Sequence, residues 1–166
     1  MRLADYTDYT LRVLMYCAAN PERLVTIAEM ADTYGVSKNH LMKIVNDLAR
    51  QGILETTRGR GGGVRLLKPP SEIGVGDVVR AAETDFRLVE CFEQETNTCT
   101  LTARCRMKRL LGSALAAYFR ELDGATLADI VDPPPSRGRK DAGIVIPIKA
   151  AARPRAQAQP VVRKRT

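Results

Sequence analysis

Residues 26–49 read TIAEMADTYGVSKNHLMKIVNDLA, and this stretch decides the fold. Thr26 and Glu29 stand three apart as a capping box, and Val25 can staple to Met30 across the first turn. The short helix that starts there meets a stop at Gly35, the residue type that most readily takes a left-handed position after a helix. Ser37 is a fresh N-cap, and Leu41, Ile44, Val45 and Leu48 then recur at helical spacing as far as Gln51 and Gly52. Two capped helices joined tightly through Gly35-Val36-Ser37 spell a helix-turn-helix.

The flanks agree. Upstream, Leu11, Leu14, Met15 and Ala18 mark a helix over residues 7–19, stopped by Asn20-Pro21. Downstream, a short strand over 53–57, the tip Arg58-Gly59-Arg60-Gly61-Gly62-Gly63 and a returning strand over 64–67 make a hairpin placed as a wing. Pro69-Pro70 ends it, and a small helix at about 75–82 is expected behind the motif. Residues 88–105 show no sustained period and carry three cysteines. A strong stripe follows over 106–122: Met107, Leu110, Leu111, Ala114, Leu115, Tyr118 and Leu122. A domain this small has little left to cover such a stripe, so a second subunit is the expected cover. Thr126 and Asp129 can cap a last turn over 127–131. Beyond 133 the chain is rich in Pro, Arg and Ala without period and reads as a disordered tail.

The fold class is therefore mainly α with a small β-hairpin, a winged helix-turn-helix plus a long dimerisation helix. Its expected parts are a DNA-binding domain at 1–85, a cysteine loop at 86–105, a dimerisation helix with terminal turn at 106–132, and a basic tail at 133–166. No internal repeat is present.

Composition sets the limits. The 166 residues suit one ordinary domain, and 45% apolar content can build a core. The start Met1-Arg2-Leu3 lacks a secretory pattern, and no apolar run approaches the roughly 18 residues of a membrane span. A cytoplasmic location is expected, where thiols stay reduced and four cysteines suggest metal or redox chemistry before disulfides. The net charge of +7 divides unevenly: residues 133–166 hold nine Lys/Arg and one acid, leaving 17 basic residues against 18 acids in the body. Within the body, residues 38–68 carry seven basic residues against Asp47 and Glu55. Residues 69–95 carry seven acids against Arg80 and Arg87. Such segregation gives one region an anion as its natural partner.

Lys38, Asn39, His40 and Lys43 fall on the first turns of the second motif helix, which in this arrangement enter the major groove. Asn39 and His40 can read base edges, and Lys38 and Lys43 can pair with guanine or phosphate. Thr26 and Ser37 sit at helix N-termini, which suit phosphate oxygens. Arg58 and Arg60 on the wing could reach a minor groove. A solvated charged face with a flexible hairpin would explain any one of these residues alone. Their ordered combination points to double-stranded DNA.

Cys91, Cys99 and Cys105 are separated by seven and five residues. Structural zinc usually takes closer pairs and four protein ligands, while thiolates spread over an irregular loop suit an iron–sulfur core. Spacing alone leaves iron–sulfur, zinc and plain reduced thiols open. Cys17, beside the apolar stripe of the first helix, reads as a buried structural thiol. Asp8 reads as a first-turn acid that complements the helix dipole. An enzyme would need a nucleophile with a base or an open metal site; one histidine, no Cys-x-x-Cys and no nucleotide loop argue against it.

Four segments together resemble the NsrR/IscR/RirA family of winged-helix iron–sulfur transcription regulators, over residues 1–131. They are Tyr6-Thr7-Asp8-Tyr9, Gly35-Val36-Ser37-Lys38-Asn39-His40-Leu41, Arg58-Gly59-Arg60-Gly61-Gly62-Gly63-Val64-Arg65-Leu66 and the three cysteines. The resemblance implies a homodimer with crossed long helices, one cluster per subunit, and DNA affinity that changes when the cluster is lost. IscR-like members have a histidine where this chain has Lys108. RirA-like iron regulators share the cysteine spacing and Tyr16-Cys17-Ala18-Ala19-Asn20, but typically lack an acid at Asp8. NsrR-like nitric-oxide-sensing repressors look similar through Asp8, Asn39-His40-Leu41-Met42-Lys43 and Leu127-Ala128-Asp129. In that branch the aspartate matching Asp8 ligates the partner subunit's 4Fe–4S cluster. The expectation is thus an NsrR-like repressor of an inverted-repeat operator, with Cys91, Cys99, Cys105 and Asp8 as ligands and nitric oxide as signal. The alternatives are a RirA-like iron-responsive repressor and, more distantly, a zinc-stabilised constitutive DNA-binding protein.

Overall fold

The structure, a computed structural model, describes residues 2–101 and 104–131. The expected tail at 133–166 lies outside the described residues. Among the described residues, six α-helices and one hairpin follow in the order α1 (Asp5–Ala18), α2 (Ile27–Tyr34), α3 (Lys38–Arg50), β1 (Leu54–Thr57), β2 (Gly63–Leu66), α4 (Val75–Ala82), α5 (Arg106–Asp123) and α6 (Leu127–Val131). Short 3₁₀ turns stand at Pro70–Glu72 and Glu90–Phe92.

The motif forms as its capping residues dictate. Thr26 Oγ1 accepts from Glu29 N at 3.1 Å, and Gly35 turns left-handed at φ 65°. Ser37 Oγ then accepts from His40 N at 3.2 Å, starting α3. Leu41, Ile44, Val45 and Leu48 are buried on α3, against Val25 and Met30 at the start of α2.

The wing is antiparallel, with Leu54 opposite Leu66 and Thr56 opposite Val64. Leu54 and Val64 face the core, while Glu55 and Arg65 pair on the outer face at 2.7 Å. Val25 adds a third rung that the sequence did not reveal: it exchanges both backbone bonds with Val64, at 2.9 and 2.8 Å. Gly63 permits this approach, since a Cβ there would lie 2.7 Å from Val25 O.

The buried face of α1 is rotated from the expected stripe. Leu14 and Ala18 are buried, but Leu11 and Met15 only pack at the edge, and Thr7, Thr10, Val13 and Cys17 take the inner positions. The threonines can enter because their hydroxyls are satisfied: Thr10 Oγ1 donates to Tyr6 O at 2.7 Å and Thr7 Oγ1 to Glu83 Oε2 at 2.8 Å. The same Glu83 oxygen accepts from Ala4 N at 2.9 Å, so an acid from the end of α4 caps α1.

After α5 the chain returns. Leu127 N donates to Ile73 O at 2.8 Å, and the side chain of Leu127 is buried in the winged domain's core. Thr126 and Asp129 close the cap of α6 as expected, at 2.6 and 2.7 Å. By contrast, α5 buries none of its residues, and Met107 and Leu110 are 60% and 65% exposed.

Candidate nucleic-acid interface and cysteine segment

Helix α3 presents Ser37, Lys38, Asn39 and Lys43 to solvent at the N-terminal end where a recognition helix meets bases. Met42 and Asn46 continue this exposed face. Neither carries a charge that marks it in the sequence; their offsets of three and seven from Asn39 are the signal that places them on this face. The orientation of the face is set from α1. Tyr6 donates its hydroxyl to Asp47 Oδ2 at 2.6 Å, and Lys43 Nζ lies 5.8 Å from the Tyr6 ring centre. Burial, and then the Asp47 carboxylate, push the Tyr6 phenol up to about 12, so it remains a donor at neutral pH.

His40 is less free than its position in sequence suggests. It is half-buried, edge-on to Tyr9 at 5.3 Å, so one side of its ring is committed to holding α3 on α1. Thr26 and Ser37 spend their hydroxyl oxygens as caps, which leaves backbone N–H groups as what these helix ends could offer a phosphate.

On the wing, Arg58 and Arg60 are exposed on a tip shaped by Gly59 and Gly61 at φ 95° and 81°. Neither arginine appears among the ion pairs of the described residues, unlike Arg65. Two exposed elements therefore stand on one domain, a capped helix with a polar face and a basic wing.

The cysteines stand on other elements than this face. Cys91 is buried in its 3₁₀ turn, Cys99 is partly buried, and Cys105 caps α5, its Sγ accepting from Lys108 N at 3.4 Å. None of the four cysteines is in a disulfide. Cys17 is 2% exposed, and burial pushes its thiol up to about 12, which keeps it protonated and unreactive. The donor set fits iron by its chemistry: three thiols stand within fifteen residues, on a largely irregular segment. The described residues do not gather them, however; no three His, Cys, Asp or Glu side chains converge to hold a metal.

Asp8 sits half-exposed in the first turn of α1 and pairs with Arg12 at 2.8 Å. Arg12 also lies 5.7 and 5.8 Å from the ring centres of Tyr9 and Tyr34. Asp5, three residues earlier on the same helix, pairs with Arg2. Neither acid belongs to a ligand group among the described residues.

The architecture and its exposed basic elements define a winged-helix DNA-binding protein. The sequence profile of the Rrf2 family, described as iron-dependent transcriptional regulators, matches residues 3–133, and the chain belongs to that family. The chain is 51% identical over 132 residues to the HTH-type transcriptional regulator NsrR of Bacillus licheniformis, covering 79% of this chain and 92% of that one. It is 43% identical over 158 residues to Protein aau3 of Rhizobium meliloti, covering 95% and 99%. Among solved structures, CymR, the global cysteine regulator of B. subtilis, superposes with a TM-score of 0.64 at 26% identity, over 79% of this chain and 96% of that one. The family consists of transcription regulators and not enzymes.

Proposed function

We propose that the chain is a cytoplasmic repressor that binds an inverted-repeat operator as a homodimer and releases it when nitric oxide attacks a 4Fe–4S cluster. The observation that carries the reading is the exposed Lys38, Asn39 and Lys43 face of α3 beside the Arg58 and Arg60 wing, on a chain with three unbridged thiols in one segment. Relatives bearing the NsrR name support the branch, and the family's iron dependence supports the metal.

In this reading Lys38 and Lys43 take phosphate or guanine, Asn39 reads base edges, and Arg58 and Arg60 enter the minor groove. His40 contributes through its free edge while Tyr9 fixes its plane. The caps at Thr26 and Ser37 hold both helix ends toward the backbone of the duplex. Cys91, Cys99 and Cys105 hold the cluster, and Asp8 of the partner subunit supplies an oxygen ligand. When bound, the cluster supplies iron that nitric oxide can reach, most readily at the weakly held oxygen position. To serve there, Asp8 exchanges Arg12 for the metal, a modest demand because the pair is half-exposed. Release of Asp8 frees the first turn of α1, to which α3 is tied by Tyr6 and Tyr9.

Anaerobic reconstitution tests the assignment. Single Ala variants at Cys91, Cys99 and Cys105 should lose the iron–sulfur chromophore, and Cys17→Ala should keep it. Asp8→Ala should still assemble a coloured protein with an altered spectrum and weaker operator binding. A coloured Cys99→Ala protein would overturn the ligand set, and a colourless zinc-loaded wild type would overturn the cluster. Iron-responsive repression is the second reading, favoured by the family's description. Titration separates the two: nitric oxide releases DNA in the first, and an iron chelator without nitric oxide does so in the second.

A further inference from the structure

Helix α5 leaves the winged domain through a tightly specified joint. Arg80 of α4 donates Nη1 to Asp123 Oδ1 and Nη2 to Asp123 Oδ2, each at 2.6 Å. Its guanidinium carbon lies 4.4 Å from the centre of the Phe119 ring, which stands edge-on to Phe86 at 4.8 Å. Asp77, one turn before Arg80, approaches the same guanidinium at 3.7 Å. Gly76 makes the approach possible, because a Cβ there would collide with Asp123 Oδ1. Just beyond, Val75 N donates to Ala125 O at 2.9 Å, fastening the chain as it leaves α5.

This arrangement is poorly explained as a source of stability. The ion pair is 42% and 46% exposed, and such pairs add little to a fold. What a two-bond fork between planar groups does supply is direction, since both separation and twist are fixed at once. Phe119 under the guanidinium removes the remaining tilt. The recognition helix and wing belong to the domain that contains α4, whereas the exposed Met107 and Leu110 lie at the far end of α5. In a two-fold pair joined through α5, the angle at this joint is the angle between each reading head and the symmetry axis. That angle sets the distance and phase between the two recognition helices.

We propose that Arg80 and Asp123, supported by Phe119 and Gly76, fix the half-site spacing of the DNA that the dimer accepts. They are specificity-determining positioning residues for an inverted repeat. The inference rests on the dimeric DNA-binding reading above and concerns a property that reading leaves open.

The test uses the full chain. Wild-type protein first selects its preferred duplex from randomised DNA. The probes are that duplex, copies with one base pair added or removed at its centre, and an isolated half-site. One added base pair moves a half-site by about 3.4 Å and about a tenth of a turn. Wild type should lose about tenfold or more on either altered spacing, the scale of one misread base pair. Arg80→Met and Asp123→Asn should bind the half-site as wild type does, yet lose less than about threefold on altered spacings. Gly76→Ala, which displaces Asp123 with both charges intact, should behave likewise. The exchanged pair, Arg80→Asp with Asp123→Arg, should recover discrimination. Should Gly76→Ala lose its helical circular dichroism, Asp123→Asn, which keeps size and shape, decides the matter. Variants that keep the wild-type spacing ratio, or weaken on all probes by one common factor, would overturn the proposal and leave the clamp a structural tie. A monomeric wild type that binds half-site and repeat equally would overturn the dimeric reading and this inference with it.

Discussion

Asp47 illustrates how a single side chain on α3 serves the fold. It accepts from Tyr6 and pairs with Arg50, and these, the tyrosine first, hold its carboxyl below the usual value of 3.8. A depressed carboxyl pKa contributes stability that is fully present above the unfolded value and is lost as pH falls through the folded one. Wild type should therefore exceed Asp47→Asn in urea midpoint across the neutral range, with the gap closing in acid below about 3.8. A gap unchanged in strong acid would remove Asp47 as the anchor. The arginine and asparagine of the reading surface should separate by their salt response. Arg60→Ala should weaken binding to any duplex and flatten the dependence of log K on log salt by about 0.9. Asn39→Ala should keep that slope and lose about 1–3 kcal/mol of discrimination between operator and scrambled DNA. The types and positions of these residues were legible in the sequence. Their partners were less so: Asp8 with Arg12 follows from i,i+4 spacing, but His40 against Tyr9 and Tyr6 on Asp47 join residues far apart in the chain.

At the scale of elements, the caps were read correctly because capping is local chemistry. Ser37→Ala should cost about 1 kcal/mol of stability, since one orphan N–H at the start of α3 loses its acceptor. The wing depends on a contact that no local pattern announces. At Gly63 an added Cβ would meet Val25 O at 2.7 Å and Leu24 Cβ at 2.9 Å. Gly63→Ala should thus cost about 1–3 kcal/mol by forcing these groups apart. Amide exchange at Val25 and Val64, which bond one another, should quicken before exchange in α3 does. Equal protection in both proteins would mean the backbone accommodates the methyl. The misjudged face of α1 has a related cause: periodicity weighed Leu11 and Met15 by hydropathy, while burial went to Thr7 and Thr10, whose hydroxyls find acceptors.

For the whole molecule, the uncovered helix is the governing fact. Leu110 is 65% exposed, whereas Leu115 lines a cavity of about 440 Å³ with Phe86, Leu88 and Tyr118 of its own chain. Leu110→Asp is accordingly the cleaner probe of assembly. It should convert a dimer to monomers by light scattering while changing the stability of the isolated subunit by less than about 0.5 kcal/mol. Operator binding should fall with dimerisation, because each head then binds alone. An intact dimer would place the interface elsewhere. The return of α6 into the winged core belongs to this scale too. The sequence identified its cap at Thr126 and Asp129, but not that Leu127 would be buried beside Ile73.

The sequence by itself determined the elements and their order: the caps of α2, α3 and α6, the glycines at left-handed turns and the apolar spacing of α3 act within a few residues, and these were readable where they stood. It also determined the chemistry on offer, from the basic wing to three thiols on one segment. Only the tertiary structure decided which faces meet. The α1 face, the Val25–Val64 rung, the Tyr6 tie to α3 and the Arg80–Asp123 joint all connect residues separated by dozens of positions. Such contacts are selected by the collective packing of a shared core, in which the best position of any one side chain depends on all the others.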